Sequence, residues 1–278
     1  MIRAENLCFG YTRDKQILKN ISFHIKKGEF VAIIGQNGSG KTTLLKHFNG
    51  LLKPTDGKIY INGLDVSKHK TSTLAHHVGF LFQNPDHQIF CSTVRQEVAF
   101  GLKNLKIPGR EIDRRVQEAV QKVGLEEYME ANPFSLSKGQ RQRVALASIL
   151  ALDVDIIVLD EPTTGQDYKE SIQIMNMIGD LNRMGKTIVM VTHNMELVAS
   201  YASRVIILSE GSILGDGMPA EVYSNQQVLR KAKLSPPQIF SLAQRFSKKG
   251  LFRNVMTPEQ MFQEILYMIE GEKNACIG

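Results

Sequence analysis

The sequence predicts an α/β fold on a central, mostly parallel sheet, and three observations point that way. The runs Phe30–Ile34, Ile156–Leu159 and Ile188–Val191 are continuously apolar, as expected of strands buried on both faces. A helical pattern over about 168–184 separates the last two, and strand–helix–strand alternation makes parallel neighbours. The first third of the chain and its middle depart from this rhythm, one toward hairpins and the other toward helices.

In chain order, Leu18 to Ile25 alternates apolar and polar residues, turns at Lys26-Lys27-Gly28 and leads into the buried run at 30–34. Gly57 to Gly63 reads as a strand closed by Asn62-Gly63, so an antiparallel subdomain is expected at the N-terminus. Val78–Phe82 is a further short strand. Residues from about 84 to 150 then turn helical, with Ile112, Val116, Ala119, Val120 and Val123 on one face and a second helix over Gln140–Leu150. Val205 to Leu214 forms a hairpin that turns at Glu210-Gly211.

The tail is separate in pattern. Ser235-Pro236-Pro237-Gln238 and Thr257-Pro258-Glu259-Gln260 each place a hydroxyl at the helix cap, Pro at the first position and Gln at the third. Each opens an amphipathic helix, one carrying Leu242 and Phe246, the other Ile265, Leu266 and Ile269. The expected organisation is one large α/β domain over 1–225 and a small C-terminal helical appendage over 226–278.

Composition narrows the function classes. The 278 residues are 42% hydrophobic and 22% charged, as in ordinary globular proteins. A net charge of +6 comes without any run of five or six like charges, so it reads as a solubilising surface and not as a nucleic-acid tract. Cys8, Cys91 and Cys276 are odd in number and far apart, which supports neither a disulfide framework nor a zinc ribbon and fits a reducing compartment. His76 and His77 have no partner at metal-ligand spacing. Met1–Asn6 does not read as a signal peptide, and no stretch reaches 18 apolar residues, so any membrane role requires other chains to supply the spanning helices.

The chemistry starts at Gly35, Gln36, Asn37, Gly38, Ser39, Gly40, Lys41, Thr42 and Thr43. These residues match G-x-x-x-x-G-K-[ST] directly after a buried strand and before a helix. Glycines let backbone N–H groups turn toward phosphate oxygens, and the helix start adds about half a positive charge. Lys41 is expected at the β- and γ-phosphates and the Thr42 hydroxyl on Mg²⁺. Asp160 and Glu161 end the apolar run 156–159. The first can hold Mg²⁺, and the second can align or deprotonate an attacking water.

Leu136-Ser137-Lys138-Gly139-Gln140 resembles the signature of the ATP-binding-cassette family, usually Leu-Ser-Gly-Gly-Gln, with Lys138 as a departure at the first glycine. The resemblance covers about residues 1–225 and implies a P-loop NTPase of the cassette type whose helical subdomain, about 84–150, carries the signature. It also implies further roles. Tyr11 stacks on adenine, an interaction worth about 1–3 kcal/mol for a base on an aromatic ring. Gln83 touches Mg²⁺ and the attacking water. Asp167 lies in the loop that crosses to a second cassette, and His193 contacts the γ-phosphate. Glu161, His193 and Gln83 form the catalytic set, and Thr42, Gln83 and Asp160 the Mg²⁺ set. Ser137, Lys138, Gly139 and Gln140 serve the ATP site of a partner cassette.

Phe82-Gln83-Asn84-Pro85-Asp86-His87-Gln88-Ile89-Phe90, with Glu97 to Gly101 and the two-helix tail, is similar to the ATPases of energy-coupling-factor transporters, which import vitamins or cobalt and nickel ions. The implied partners are a second cassette, identical or paralogous, and integral membrane subunits, with the chain on the cytoplasmic face of the membrane and no nucleic acid bound. The nearest alternative is the ATPase of another solute transporter of the same family, and two further classes differ from both. A ribosome- or DNA-directed cassette ATPase would carry a fused second cassette or a long coiled coil, which this sequence lacks. A cassette that only binds ATP would lack Glu161 and His193. The transported substrate cannot be read from these residues, because another subunit selects it.

Overall fold

The computed structural model describes residues 1–12, 14–247, 251–252 and 255–275; Cys276 and the last two residues of the expected appendage lie outside them. The N-terminal part contains β1 (Ile2–Thr12), β2 (Lys15–Ile25), β3 (Phe30–Ile34), α1 (Lys41–Phe48), β4 (Asp56–Ile61), β5 (Leu64–Asp65), α2 (Thr71–Leu74) and β6 (Val78–Leu81). The middle is helical, with α3 (Val94–Asn104), α4 (Gly109–Lys122) and α5 (Lys138–Leu152). Next come β7 (Ile156–Asp160), α6 (Tyr168–Arg183), β8 (Thr187–Val191), α7 (Met195–Tyr201), β9 (Arg204–Ser209) and β10 (Ser212–Gly217). The chain then runs through α8 (Pro219–Ser224), α9 (Gln226–Ala232), α10 (Gln238–Ser247) and α11 (Pro258–Ala275).

Two sheets result. An antiparallel sheet has the order β2-β1-β4-β5, and a six-stranded sheet the order β10-β9-β3-β8-β7-β6. In the second, β6–β7, β7–β8, β8–β3 and β3–β9 are parallel, and only the β9–β10 hairpin is antiparallel. The apolar runs are continuous because each strand feeds two cores at period two. Ile156 and Val158 of β7 join the core between the sheets, together with Leu44, Leu45 and Phe48 of α1. Ile157 and Leu159 face the core under α3, α4 and α5. Residues of β8 divide the same way, Val189 and Val191 against Ile188 and Met190.

The helical middle differs in content from the sequence reading. It holds α3 as well as the two expected helices, and α3 packs Val94, Val98 and Leu102 into the shared core. Thr93 caps it by accepting from Gln96 N at 3.2 Å.

In the tail, the cap expected at Thr257 forms. Thr257 Oγ1 accepts from Gln260 N at 3.3 Å, and Gln260 Oε1 accepts from Thr257 N at 3.2 Å. The cap expected at Ser235 is a correction. Helix α10 starts at Gln238, with Ser241 N donating to Pro237 O. Pro237 biases Pro236 away from helical ψ, so the helix starts beyond the pair of prolines and out of step with Ser235. A further helix, α9, precedes the two expected, and its Leu229 and Ala232 share a core with Ala32 and Ile34 of β3 and with Phe240 of α10. The expected apolar faces of α10 and α11 are largely exposed: Leu242, Phe246, Ile265 and Ile269 all face solvent, and Ala243, Val255 and Met261 form the small buried contact between these helices.

Candidate nucleotide site

The parallel register decides where the chemistry collects. Asp160, the last residue of β7, pairs with Val191, the last of β8, and the loop after β3 opens at the same end of the sheet. In open α/β sheets, ligands bind outside the carboxyl ends of such strands. A cleft of about 310 Å³ lies there, lined by Tyr11, Gly38, Lys41, Gln83, Asp160 and Glu161 among others.

The loop over residues 35–40 is built by its glycines. Gly35, Gly38 and Gly40 have φ of 155°, 80° and 102°. A Cβ on Gly35 would meet Leu208 O at 2.1 Å, so β9 presses against the loop and enforces glycine there. Ser39 is buried, and its O accepts from Gly211 N at 3.2 Å. Gly40 is the cap of α1 and offers no side-chain oxygen, which leaves the helix's first N–H groups for a ligand.

Lys41 is buried, and its Nζ donates to Gly35 O and Gln36 O, each at 2.8 Å. Burial pushes its ammonium below the usual lysine range, while Glu161 and Asp160 pull it back up. Burial likewise raises the Asp160 carboxyl, opposed by a hydrogen bond from the Thr42 hydroxyl and reinforced by the neighbouring Glu161 charge. Thr42, Asp160 and Gln83 thus offer hard oxygen donors, the set that suits Mg²⁺. Among the described residues no cluster of three or more His, Cys, Asp or Glu side chains is placed to hold a metal ion.

Glu161 follows β7 with its N–H donating to Val191 O at 2.9 Å and its φ at 51°. That left-handed conformation is strained for a side chain of this length, and strain of this kind concentrates at functional positions. His193 Nδ1 lies 2.8 Å from Glu161 Oε2, with the imidazole mostly exposed and the carboxylate largely covered. Tyr11 stands at the cleft mouth, its ring 60% exposed and edge-on to Phe9, its hydroxyl 3.3 Å from Thr43 Oγ1.

The signature residues sit elsewhere in the chain. Ser137 caps α5, accepting from Gln140 N at 3.2 Å while its own N–H donates to Gln140 Oε1 at 2.9 Å. Lys138 is exposed and folds toward Gly165, so a Cβ on Gly165 would come within 2.8 Å of its ammonium. Asp167 caps α6 by accepting from Glu170 N at 2.7 Å. None of Ser137, Lys138, Gly139, Gln140 and Asp167 lines the cleft that Lys41 and Glu161 line.

Sequence reasoning passed over two supporting residues, His47 and Gln142, and named a third, Glu97, only as part of a resemblance without giving it a structural role. His47 is fully buried behind the loop, with Nδ1 2.8 Å from Thr43 O. Glu97 is buried, and its Oε2 accepts from Phe90 N and Cys91 N at 3.0 and 2.8 Å. Gln142 is buried and donates to Pro162 O at 3.3 Å. A polar residue among the apolar positions of a helix was the available signal for each.

Comparison with known proteins places this architecture. Residues 18–164 match the ABC transporter family model. The chain belongs to that family of ATP-binding cassettes. Within it, the chain is 44% identical to the energy-coupling factor transporter ATP-binding protein EcfA of Methanocaldococcus jannaschii, over 90% of each chain. It superposes on the cbiO1 structure of Clostridium perfringens, described as part of the ABC transporter complex cbiONQ, with a TM-score of 0.74 and 36% identity, covering 87% of this chain and 98% of that one. It also superposes on a dimeric, post-hydrolysis ATP-binding cassette, MJ0796 bound to ADP and Pi, with a TM-score of 0.73 and 33% identity, covering 79% and 99%. Several longer relatives also match, and the chain spans 41–44% of their length. Among the described residues no helix is long and apolar enough to cross a membrane.

Proposed function

We propose that this chain binds and hydrolyses ATP and energises an importer of the energy-coupling-factor type, working as a pair of cassettes against integral membrane subunits at the cytoplasmic face. The observation that supports hydrolysis best is the Glu161–His193 contact of 2.8 Å at the strand ends, beside Lys41.

In this mechanism the triphosphate enters over the α1 N-terminus. Lys41 gives up its two carbonyl partners for β- and γ-phosphate oxygens. Thr42 and Asp160, with Gln83 beside them, would hold Mg²⁺, whose chemistry there would be neutralisation of the phosphate charge. Glu161 orients a water and takes its proton as the water oxygen attacks the γ-phosphorus. The bond to the β–γ bridging oxygen breaks, leaving ADP and phosphate. His193 fixes the Glu161 carboxylate and faces the γ-phosphate.

One face of the γ-phosphate then lies uncovered. Ser137 and Gly139 are held at a helix start outside this cleft, so in this reading they cover the γ-phosphate of a second cassette. ATP favours the closed pair through those extra contacts, and hydrolysis removes them. The similarity to EcfA and cbiO1 supports the importer class. The transported substrate is set outside this chain.

The test is recovery of the tagged chain from gently solubilised membranes of its host, with mass spectrometry of what accompanies it. A polytopic membrane protein with small substrate-binding membrane subunits is expected. Ribosomal or DNA-bound proteins without a membrane subunit would overturn the importer reading.

A further inference from the structure

Between Gln83 at the cleft and Ser137 at the signature runs a short physical path. Gln83 leads into a single 3-10 turn, Pro85–His87, whose cap is Asn84, accepting from Asp86 N at 3.2 Å. The segment is pinned at both ends. Gln88 Oε1 accepts from Phe82 N at 3.3 Å, and the buried Glu97 carboxylate accepts from Phe90 N and Cys91 N. Its middle is held from another element: Asp86 Oδ1 lies 2.7 Å from Arg141 Nε. Arg141 is one turn into α5, and its Nη1 donates to Leu136 O, the carbonyl just before Ser137. One guanidinium therefore grips the turn after Gln83 and the entry to the signature.

The details suit transmission better than bracing. The Arg141 side chain is 18% exposed and Asp86 43%, so the pair is half wet and contributes little to stability. Arg141 Nε lies 2.7 Å from Asp86 Oδ1, so the link to Asp86 is a close ion pair. The other Arg141 contact is a directed bond to the backbone. Both contacts leave one planar guanidinium, so the turn after Gln83 and the entry to α5 are held to the same group.

We infer that Asp86 and Arg141 are a positioning pair: they couple the segment after Gln83 to the signature start of the same cassette, so displacement of one moves Ser137 and Gly139. The inference rests on the proposed function for its consequence in turnover, but the linkage itself is a property of the nucleotide-free chain.

The test uses the full-length chain with Asp86→Asn, Arg141→Gln, both together, and Arg141→Lys. In nucleotide-free protein, hydrogen exchange is expected to quicken over 136–141 when Asp86 is changed and over 84–88 when Arg141 is changed. Exchange that changes only around the substituted residue overturns the linkage whether or not the chain hydrolyses ATP. In turnover, each neutralising variant is expected to lower kcat about tenfold with affinity for a fluorescent ATP analogue within about twofold; the double variant falls no further than the worse single, and Arg141→Lys retains most activity. Effects that multiply to about a hundredfold, or affinity that falls in step with kcat, would show two independent residues. A wild-type chain and complex without ATPase activity would count against the proposed function and leave the exchange result to decide the pair.

Discussion

His193 and Glu161 meet at 2.8 Å although 32 positions separate them in sequence, because β7 and β8 are parallel neighbours that end in register. Glu161 is the first residue beyond β7 and His193 the second beyond β8, and the Glu161 N–H to Val191 O bond closes the gap between the strands. Each residue fixes where the other can point.

Glu161→Gln should therefore retain ATP yet turn over at least ~100-fold more slowly, about 2.7 kcal/mol on the barrier. The variant should also accumulate as an ATP-bound dimer on size-exclusion chromatography. Near-normal turnover would remove Glu161 from the role of base.

Tyr11→Ala should weaken ATP binding by roughly 5–150-fold, the equivalent of about 1–3 kcal/mol of stacking on the base. Tyr11→Phe should bind nearly as the parent does, because the hydroxyl's contact with Thr43 is long at 3.3 Å and the ring remains. Isothermal titration with a non-hydrolysable analogue decides this. Equal affinity for the Ala variant would place adenine elsewhere.

His47 makes the fold acid-sensitive. Burial lowers its pKa to about 4, against about 6.5 when unfolded. The native state needs the neutral ring, so this contribution is complete above pH 6.5 and is lost as pH falls toward 4, where the unfolded chain binds the proton first. The loss amounts to about 3 kcal/mol. In His47→Gln, urea unfolding between pH 7 and pH 4 should show a flatter decline. An unchanged slope would exclude His47 as its source.

Gly211→Ala should destabilise the chain by about 2–4 kcal/mol. Residues 210 and 211 both have positive φ, as a two-residue hairpin turn requires, and an added Cβ would stand 2.1 Å from Ile17 O. Gly211 also bonds Lys19 N through its carbonyl and Ser39 O through its N–H, so the phosphate loop should shift with it. A lowered Tm together with weaker nucleotide binding is expected, and an unchanged Tm would refute the close approach.

The sheet was readable because β3, β7 and β8 are short, rich in β-branched residues, apolar on both faces and bounded by turn or polar residues. The membership of the parallel sheet followed from alternation with helices. Residues of the cleft were readable through fixed spacing after a strand. Helix α3 was not, since its buried Glu97 interrupts the apolar face with a carboxylate whose partners, Phe90 N and Cys91 N, lie in a loop. The start of α10 was misread because two capping patterns look alike until Pro237 restricts its neighbour. The Asp86–Arg141 contact is invisible to any periodicity, because the two residues stand 55 positions apart on different elements.

Backbone strain at Glu161 sets its side chain's usefulness against the chain's robustness. At φ 51° a glycine sits without penalty, so replacing Glu161 by Gly relaxes the backbone by the same act that removes the base. A heat-challenge library scored only on survival of the folded protein would enrich that replacement. Selection for thermotolerance in this cassette needs a turnover readout in every round, or it will breed durable proteins that hold ATP and never release phosphate.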